Sequence, residues 1–227
     1  MRALALALLC VLATGANAQA PNRARPADFV DARTVVPGLV VEMRYAGAEN
    51  FVGRRITGYD APVCLLTREA ATALAAAQAQ LAPFGLGLKV YDCYRPARAV
   101  AHFARWARDP RDQVRKRDYY PNVDKGQLFA LGYIAERSGH SRGSTVDVTI
   151  VDAVTKHELD MGGAYDLFDT RSWPTDTTVG ASARANRLLL QATMRAHGFD
   201  PLKEEWWHFK LRGEPYPQTH FDFPVTR

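Results

Sequence analysis

Cysteine is scarce in this sequence, and long apolar stretches are missing beyond its first residues. Only three cysteines occur among 227 residues, which leaves room for at most one disulfide. No later segment approaches the roughly 20 apolar residues that a membrane-spanning helix needs. Internal repeats, low-complexity tracts and an obvious linker are also absent. With 47% hydrophobic residues, the chain is expected to form one compact domain with a real core.

The first 18 residues have the pattern of a signal peptide. Arg2 is the positive residue, 3–14 is a short apolar run, and an Ala-Asn-Ala cleavage pattern ends at residue 18. The alternative is an uncleaved anchor, but the run is short for a membrane span. We therefore expect an exported protein, in the periplasm, whose mature domain occupies 19–227 and has no stable membrane association.

Cleavage after residue 18 would leave two cysteines, Cys64 and Cys93. An even number in an oxidising compartment predicts one disulfide between them. The alternative is a pair of buried free thiols. We expect no catalytic role for either cysteine, because neither lies in a Cys/His signature.

The charge balance is mildly basic, since the formal net charge is +5 and removal of the leader, with its one arginine, reduces it to +4. Six basic residues cluster at Arg105, Arg108, Arg111, Arg115, Lys116 and Arg117. Such a cluster can attract an anionic polymer. Because Asp109, Asp112 and Asp118 interleave and no nucleic-acid motif is present, we interpret it as a solvated surface and expect no nucleic-acid partner.

Hydrophobic periodicity and end signals predict both strands and helices. Strands are expected at 39–45, 88–91, 144–151 and 205–211. Helices are expected from the capping Thr67 to 81, at 97–107 behind Pro96, at 125–137 and at 182–197. These elements predict an α+β fold, with a small antiparallel sheet and flanking helices.

A histidine and an aspartate lie seven residues apart in the segment SGHSRGSTVDV, which begins at Ser138. His140 lies in a Ser/Gly turn, and Asp147 lies on a strand between Val146 and Val148, which point to the core. The turn can fold the imidazole back beside the carboxylate, and both groups are good zinc ligands. Alone this is a weak signal, because His and Asp share turns in many proteins.

The segment EWWH combines a carboxylate, Glu205, with an imidazole, His208, around two tryptophans. His208 can supply a third ligand, which would complete a catalytic zinc site with one open position. Glu205 can then act as a general base. However, residues three apart on a flat strand face opposite sides, so the segment must twist or Glu205 must precede the strand. The alternative is a Trp-rich core strand with a satisfied histidine.

A third polar feature is the segment YDCYRP, in which Arg95 directly precedes Pro96 at a strand-to-helix junction. An arginine there can point into a site and stabilise the oxyanion of a tetrahedral intermediate. The alternative is an ordinary surface salt bridge with Asp92.

The strings SGHSRGSTVDVT, DCYRP, EWWHF and EPYPQTHFDFPV resemble those of the D-alanyl-D-alanine dipeptidases linked to vancomycin resistance. These enzymes are part of a larger group of zinc D-alanyl peptidases that share the fold of the Hedgehog signalling domain. The resemblance extends from RYAGAENF, which begins at Arg44, to Pro224, and its four motifs occur in the family's order.

The resemblance implies one zinc ion per chain, bound by His140, Asp147 and His208. It also implies that Glu205 is the catalytic base and that Arg95 stabilises the transition state. Three further residues match those expected around a bound dipeptide: Ser138, Tyr45 and Asp166. Of these, Asp166 is the expected partner of the substrate ammonium group, although it also fits a turn residue and Tyr45 fits a core edge.

Two features depart from the family pattern. Cys93 replaces a small residue before Tyr-Arg-Pro, and a leader precedes a domain whose resistance-linked relatives are cytoplasmic. The expected function is therefore hydrolysis of D-Ala-D-Ala outside the membrane, in peptidoglycan turnover or salvage. The alternatives are a D,D-carboxypeptidase or endopeptidase acting on longer wall peptides, and a non-catalytic zinc-binding module.

Overall fold

The computed structural model describes residues 22–227, so the expected signal peptide at 1–18 lies outside the described part. Within 22–227, no helix has both the length and the apolar character needed to cross a bilayer. The described chain forms a five-stranded sheet, a smaller two-stranded sheet and helices packed around them.

The strands and helices are short and joined by long loops. The strands are β1 (Phe29–Asp31), β2 (Val40–Val41), β3 (Leu65–Thr67), β4 (Leu86–Asp92), β5 (Thr145–Asp152), β6 (Phe199–Pro201) and β7 (His208–Leu211). The α-helices are α1 (Arg68–Leu81), α2 (Ala97–Arg108), α3 (Lys116–Tyr119) and α4 (Ala181–Ala196). Six single 3₁₀ turns among the described residues lie at Ala32–Thr34, Arg44–Ala46, Ala82–Phe84, Lys125–Gln127, Gly139–Arg142 and Thr170–Ser172.

The main sheet has the strand order β2-β4-β5-β7-β6, and β1 pairs with β3 in the small sheet. The predicted α+β class is confirmed. The sheet is mixed rather than purely antiparallel, because β2 pairs with β4 in the parallel sense. The strand predicted at 39–45 is also shorter than expected, since β2 is followed by the 3₁₀ turn at Arg44–Ala46.

Helices α1 and α4 lie against each other and pack on the main sheet. Thr67 caps α1 as predicted, because its Oγ1 accepts a hydrogen bond from the backbone N–H of Ala70 at 3.4 Å. Gly198 follows the end of α4 with φ +90°, a conformation in which glycine has no Cβ penalty. Helix α2 begins after Pro96, as the sequence predicts.

The prediction of a helix at 125–137 is wrong. Only a 3₁₀ turn forms at its start, where the ammonium of Lys125 donates to the backbone carbonyls of Asp109 and Asp112 at 2.8 and 2.6 Å. Gly132 then adopts φ +79°, which no right-handed helix contains. This segment therefore runs as an irregular loop, and its second half forms a wall of the cavity described below.

The Cys64–Cys93 disulfide is present, as the cysteine count predicts. It joins the residue just before β3 to the residue just after β4, two points 29 residues apart in the chain. Both cysteines are fully buried. The bond therefore ties the small sheet to the end of a central strand of the main sheet.

We predict that replacing both cysteines, as Cys64→Ala/Cys93→Ala, lowers the free energy of unfolding by about 2–4 kcal/mol, because the unfolded chain regains the freedom of a closed loop. Denaturant unfolding of the variant and of the oxidised wild type measures the difference. Wild-type protein treated with a thiol reductant is the control, and equal stability of oxidised and reduced protein would contradict the prediction.

Candidate active site

The candidate site lies where three adjacent strands meet in register. Asp147 on β5 is paired with Asp92 on β4 and with His208 on β7. The register of β4 shifts between Val90 and Asp92, so a β-bulge brings Asp92 opposite Asp147. The sheet therefore places two carboxylates and an imidazole side by side.

Strand β5 is buried on both faces, which differs from the simple alternation expected from the sequence. Val146, Val148 and Ile150 belong to the core, as predicted. Asp147 and Thr149, on the opposite face, are also buried. The loops that carry the other site residues cover this second face.

His140 lies in the 3₁₀ turn Gly139–Arg142, which Ser138 caps by accepting from the backbone N–H of His140 at 3.3 Å. Its Nδ1 is 2.7 Å from the backbone carbonyl oxygen of Cys93. That contact requires a proton on Nδ1, so the neutral ring carries its lone pair on Nε2. Nε2 points to Asp147, whose Oδ1 is 3.3 Å away.

Three potential ligand atoms converge at this point: His140 Nε2, Asp147 Oδ1 and His208 Nδ1. The two imidazole nitrogens are 3.3 Å apart, and His208 Nδ1 is 3.1 Å from Asp147 Oδ1. Oδ1 is buried and has no hydrogen-bond partner. Buried acceptors in proteins are almost always paired, so this oxygen fits a bound cation, and two imidazoles with one carboxylate are a suitable donor set. The three side chains predicted as metal ligands therefore form a possible metal site.

The electrostatics of Asp147 favour the ionised form that a metal ligand requires. Burial alone would raise the pKa of this carboxyl. The attraction of His140 and His208 outweighs the burial and holds the pKa below its usual range.

The strand expected at 205–211 begins only at His208, and Glu205 lies in the turn before it. This is one of the two arrangements that the sequence allowed for bringing Glu205 and His208 to the same site. Its Oε2 is 3.4 Å from His208 Nδ1. Burial raises the pKa of Glu205 to about 7, although the nearby His208 opposes the shift. A carboxyl that titrates near neutral pH beside a metal site is suited to exchange protons.

Arg95 points into the site and also forms the ion pair that the sequence offered as its alternative. Its Nε donates to Asp92 Oδ2 at 2.9 Å, and Nη2 is 3.7 Å from Asp147 Oδ2. The pair is buried rather than at the surface, since Asp92 is fully enclosed and also accepts from the Tyr59 hydroxyl at 2.6 Å. The guanidinium lies 5.1 Å above the ring of Tyr45. Packing and hydrogen bonds thus hold Arg95 beside the candidate metal ligands.

Asp166 is the second buried carboxylate with access to the cavity. Its Oδ2 is 2.8 Å from the Tyr45 hydroxyl, which is hydrogen-bond distance. Burial raises the pKa of Asp166 well above its ordinary value, and the negative charge of Asp147 adds to the shift. The hydrogen-bond partner of this buried carboxyl is a neutral hydroxyl and not a cation, which fits a subsite for a positively charged group.

One cavity of about 230 Å³ unites these groups. All eight polar residues predicted for the site line it: Tyr45, Arg95, Ser138, His140, Asp147, Asp166, Glu205 and His208. The tryptophans Trp206 and Trp207 do not line it, because both are buried in the core. The two tryptophans therefore fit the core alternative given for this segment, whereas His208 lines the cavity.

Sequence comparison agrees with this geometry. The sequence profile of a family described as D-ala-D-ala dipeptidase matches residues 25–226. The D-alanyl-D-alanine dipeptidase of Enterococcus faecalis is 41% identical over 189 residues, which cover 83% of this chain and 94% of that protein. The Streptomyces coelicolor dipeptidase is 41% identical over 88% of this chain and 98% of its own length. The D-alanyl-D-alanine dipeptidase of Escherichia coli is 36% identical over 84% of this chain and 88% of its own length.

The chain belongs to the D-Ala-D-Ala dipeptidase family. The predicted resemblance is thus confirmed over nearly the whole described chain. Membership also makes the chain a peptidase, and the cavity with its three candidate metal ligands is the place in the described structure that suits such chemistry.

Sequence reasoning missed one residue of this dipeptidase site. Tyr165 donates to the candidate metal ligand Asp147, with 3.0 Å between its hydroxyl and Oδ2. A signal was available, because Tyr165 directly precedes Asp166 in the segment MGGAYD. The residue was overlooked because a tyrosine beside a glycine-rich turn also fits an ordinary core position.

We predict that His208→Ala abolishes stoichiometric binding of a divalent metal, because it removes one of three ligands. Mutations of residues that only contact the ligands typically weaken metal affinity by roughly 10–100-fold. We expect a larger loss of affinity for His208→Ala. Elemental analysis after dialysis measures the metal content. His197→Ala is the control, since His197 contacts Gln80 at the surface instead of the site. Full metal retention by His208→Ala would remove it from the ligand set.

Proposed function

We propose that this chain is a zinc-dependent dipeptidase that hydrolyses D-alanyl-D-alanine to two molecules of D-alanine. The observation that carries the proposal is a single small cavity in which a candidate metal site, a carboxyl with a pKa near 7 and a second buried carboxyl lie together. The names of the relatives supply the substrate class and its stereochemistry.

The size of the cavity favours a very short substrate. Pockets for drug-sized ligands typically occupy roughly 300–1,000 Å³. The cavity here has about 230 Å³, which is below that range. A dipeptide of two alanines suits this space better than an extended wall peptide.

Asp166 supports a requirement for a free amino terminus. A buried carboxylate without a cation is costly, and a substrate ammonium would supply the missing charge. An acylated or extended peptide offers a neutral amide at that point. The substrate therefore gains binding energy at Asp166 only when its amino group is free.

The proposed chemistry is attack of water on the scissile carbonyl. Zinc, when held by His140, Asp147 and His208, supplies Lewis acidity that polarises a carbonyl and lowers the pKa of water. Glu205 accepts the proton of the attacking water and later delivers it to the leaving amine. The guanidinium of Arg95 stabilises the negative charge that develops on the carbonyl oxygen. Ser138 and Tyr45 line the same cavity and position the dipeptide.

The export of the enzyme is also part of the proposal. The leader pattern at 1–18 supports it, and so does the Cys64–Cys93 disulfide, because such bonds persist in oxidising compartments. An exported dipeptidase would act on wall fragments in peptidoglycan turnover or salvage. Terminal sequencing of protein from a periplasmic extract tests this, and an intact Met1 there would contradict it.

Two alternative functions agree less well with the features of this cavity. A D,D-carboxypeptidase or endopeptidase would accept longer wall peptides, which the small cavity and the free-amine subsite disfavour. A non-catalytic metal-binding module would need neither a carboxyl with a pKa near 7 nor an arginine in the cavity.

We predict that Glu205→Gln retains zinc but loses turnover by about 10²–10⁴-fold, since the amide keeps the shape of the side chain but cannot accept a proton. Steady-state kinetics and metal analysis on the same sample separate the two effects. The control is Glu204→Gln, because the neighbouring Glu204 pairs with the exposed Lys203 instead of lining the cavity. An active Glu205→Gln enzyme with normal zinc content would refute the role.

We also predict a strong preference for free dipeptides. A site built to pair a specific polar group can reject an analogue without that group by ~10⁴ or more. The measurement compares kcat/KM for D-Ala-D-Ala, for N-acetyl-D-Ala-D-Ala and for a wall pentapeptide. Comparable values for all three would instead support the carboxypeptidase function.

The variant Asp166→Asn tests whether Asp166 causes the preference for free dipeptides. It should reduce kcat/KM for the free dipeptide far more than for the acetylated one, because only the first carries an ammonium group. An unchanged ratio would remove Asp166 from the substrate site, even if dipeptidase activity were confirmed.

A further inference from the structure

Four oxygen atoms form a continuous buried line between the amine subsite and the candidate metal site. Asp166 Oδ2 is 2.8 Å from the Tyr45 hydroxyl, which is 3.1 Å from the Tyr165 hydroxyl. The Tyr165 hydroxyl is 3.0 Å from Asp147 Oδ2. All four side chains are buried, so bulk water does not satisfy these contacts.

We propose that Tyr165 is a positioning residue, which orients the Asp147 carboxylate toward the metal and connects it through Tyr45 to the amine-binding Asp166. The link to the substrate amine rests on the proposed function, whereas the link to Asp147 does not. The three contacts that join these four residues are called the tyrosine relay below.

The orientation of Asp147 is the first part of the argument. Tyr165 donates to Oδ2, and Arg95 approaches the same oxygen at 3.7 Å. Oδ1 is thereby left to face His140 and His208 without a hydrogen-bond donor of its own. Hydrogen bonds to the far side of a ligand fix its direction and its basicity.

The ring of Tyr165 is itself held firmly enough to serve this purpose. It stacks on Tyr91 with 4.5 Å between ring centroids and meets Trp207 edge-on at 5.3 Å. The next residue, Asp166, has φ +61°, and it is one of two non-glycine residues in the left-handed region within 22–227. A non-glycine residue keeps this conformation only where surrounding contacts stabilise it. Here the conformation lets the consecutive side chains of Tyr165 and Asp166 both take part in the relay.

A count of hydrogens gives the relay a direction. Three contacts need three hydrogens, and the two tyrosine hydroxyls supply two. Two ionised carboxylates supply none, so one contact would then join two oxygens without a hydrogen. A proton on Asp166 completes the series, because Asp166 donates to Tyr45, Tyr45 donates to Tyr165 and Tyr165 donates to Asp147.

The surroundings of Asp166 agree with this assignment. The charged groups that act on it are Asp147, Arg95 and Glu205, and the phenols nearby are Tyr45, Tyr119 and Tyr165. Burial raises the pKa of Asp166, with a further rise from Asp147, while the contact with Tyr45 and the charge of Arg95 oppose the rise. Asp147 lies beside two imidazoles and is the less favourable position for the proton.

Binding of a substrate ammonium changes the number of hydrogens that the relay needs. The ammonium donates its own hydrogen to Asp166, and the ionised carboxylate is then the better partner. Asp166 then gives up its carboxyl proton to solvent, and Tyr45 turns its hydroxyl to Asp166. The contact between the two tyrosine hydroxyls is the one left without a hydrogen, and the ammonium compensates this loss with its own hydrogen bond to Asp166. Binding of a free dipeptide near neutral pH should therefore release about one proton per site, as the difference between three hydrogens and two requires.

The first experiment measures zinc affinity without any substrate, by competition with a chelator. Tyr165→Phe keeps the ring but removes the donor to Asp147, so we expect binding weaker by about 10–100-fold. The matched control is Tyr120→Phe, because the Tyr120 hydroxyl is buried without a partner and should leave the affinity unchanged. Equal affinity of Tyr165→Phe and wild type would overturn the positioning role.

The second experiment counts protons. Calorimetry of D-Ala-D-Ala binding to zinc-loaded Glu205→Gln protein, in buffers of different ionisation enthalpy, gives the number released. The substitution slows hydrolysis and removes Glu205, whose pKa of about 7 would otherwise add its own proton exchange to the count. We expect about one proton, and a value near zero after Tyr165→Phe is added, because Tyr45 then donates directly to an ionised Asp166.

The outcomes separate the relay from the proposed function. Dipeptide binding without proton release, or with the same release in both proteins, would overturn the relay. If the dipeptide does not bind at all, the proposed function fails, and the zinc competition still decides whether Tyr165 positions Asp147.

Discussion

The architecture of the site depends on one constraint, which is that the Asp147 carboxylate is ionised and almost fully enclosed. An unpaired charge in such a place is costly, so its neighbours must compensate it. The sheet register sets His208 beside it, the turn after Ser138 brings His140, and the loop after Asp92 brings Arg95. Regular pairing supplies His208, whereas a 3₁₀ turn supplies His140 and a register shift precedes the loop that carries Arg95.

The balance of charge around the cavity shows what is still required. Asp92, Asp147, Asp166 and Glu205 are four acidic groups, and the buried cation described among them is Arg95. One guanidinium cannot neutralise four carboxylates. A divalent metal ion, a substrate ammonium and a retained proton are the species that would restore the balance. The metal ion would lie at Asp147, whereas the proton and the ammonium would occupy Asp166 in turn.

The sequence predicted the site better than the fold. His140, Asp147 and His208 were weak signals one by one, and the resemblance of four motifs in the family's order singled them out. Thr67 and Pro96 mark their helices by local chemistry. Long-range pairing was harder, since nothing near Val40 shows that β2 runs parallel to β4. The loop that replaces the helix expected at 125–137 depends on the tertiary contacts of Lys125. Tyr165 was not predicted because a tyrosine beside a glycine-rich turn also fits a core position, and its contact with Asp147 forms only in the folded chain.

The disulfide has a consequence for handling the protein. The backbone carbonyl that holds Nδ1 of His140 belongs to Cys93, so a covalent cross-link and the first imidazole share one residue. Cleaving the cross-link loosens the support of that imidazole as well as the two sheets. A sample folded without the cross-link would therefore differ from the oxidised protein at the candidate metal site. Its apparent metal requirement would reflect the preparation, and buffers without reductant are the proper reference state.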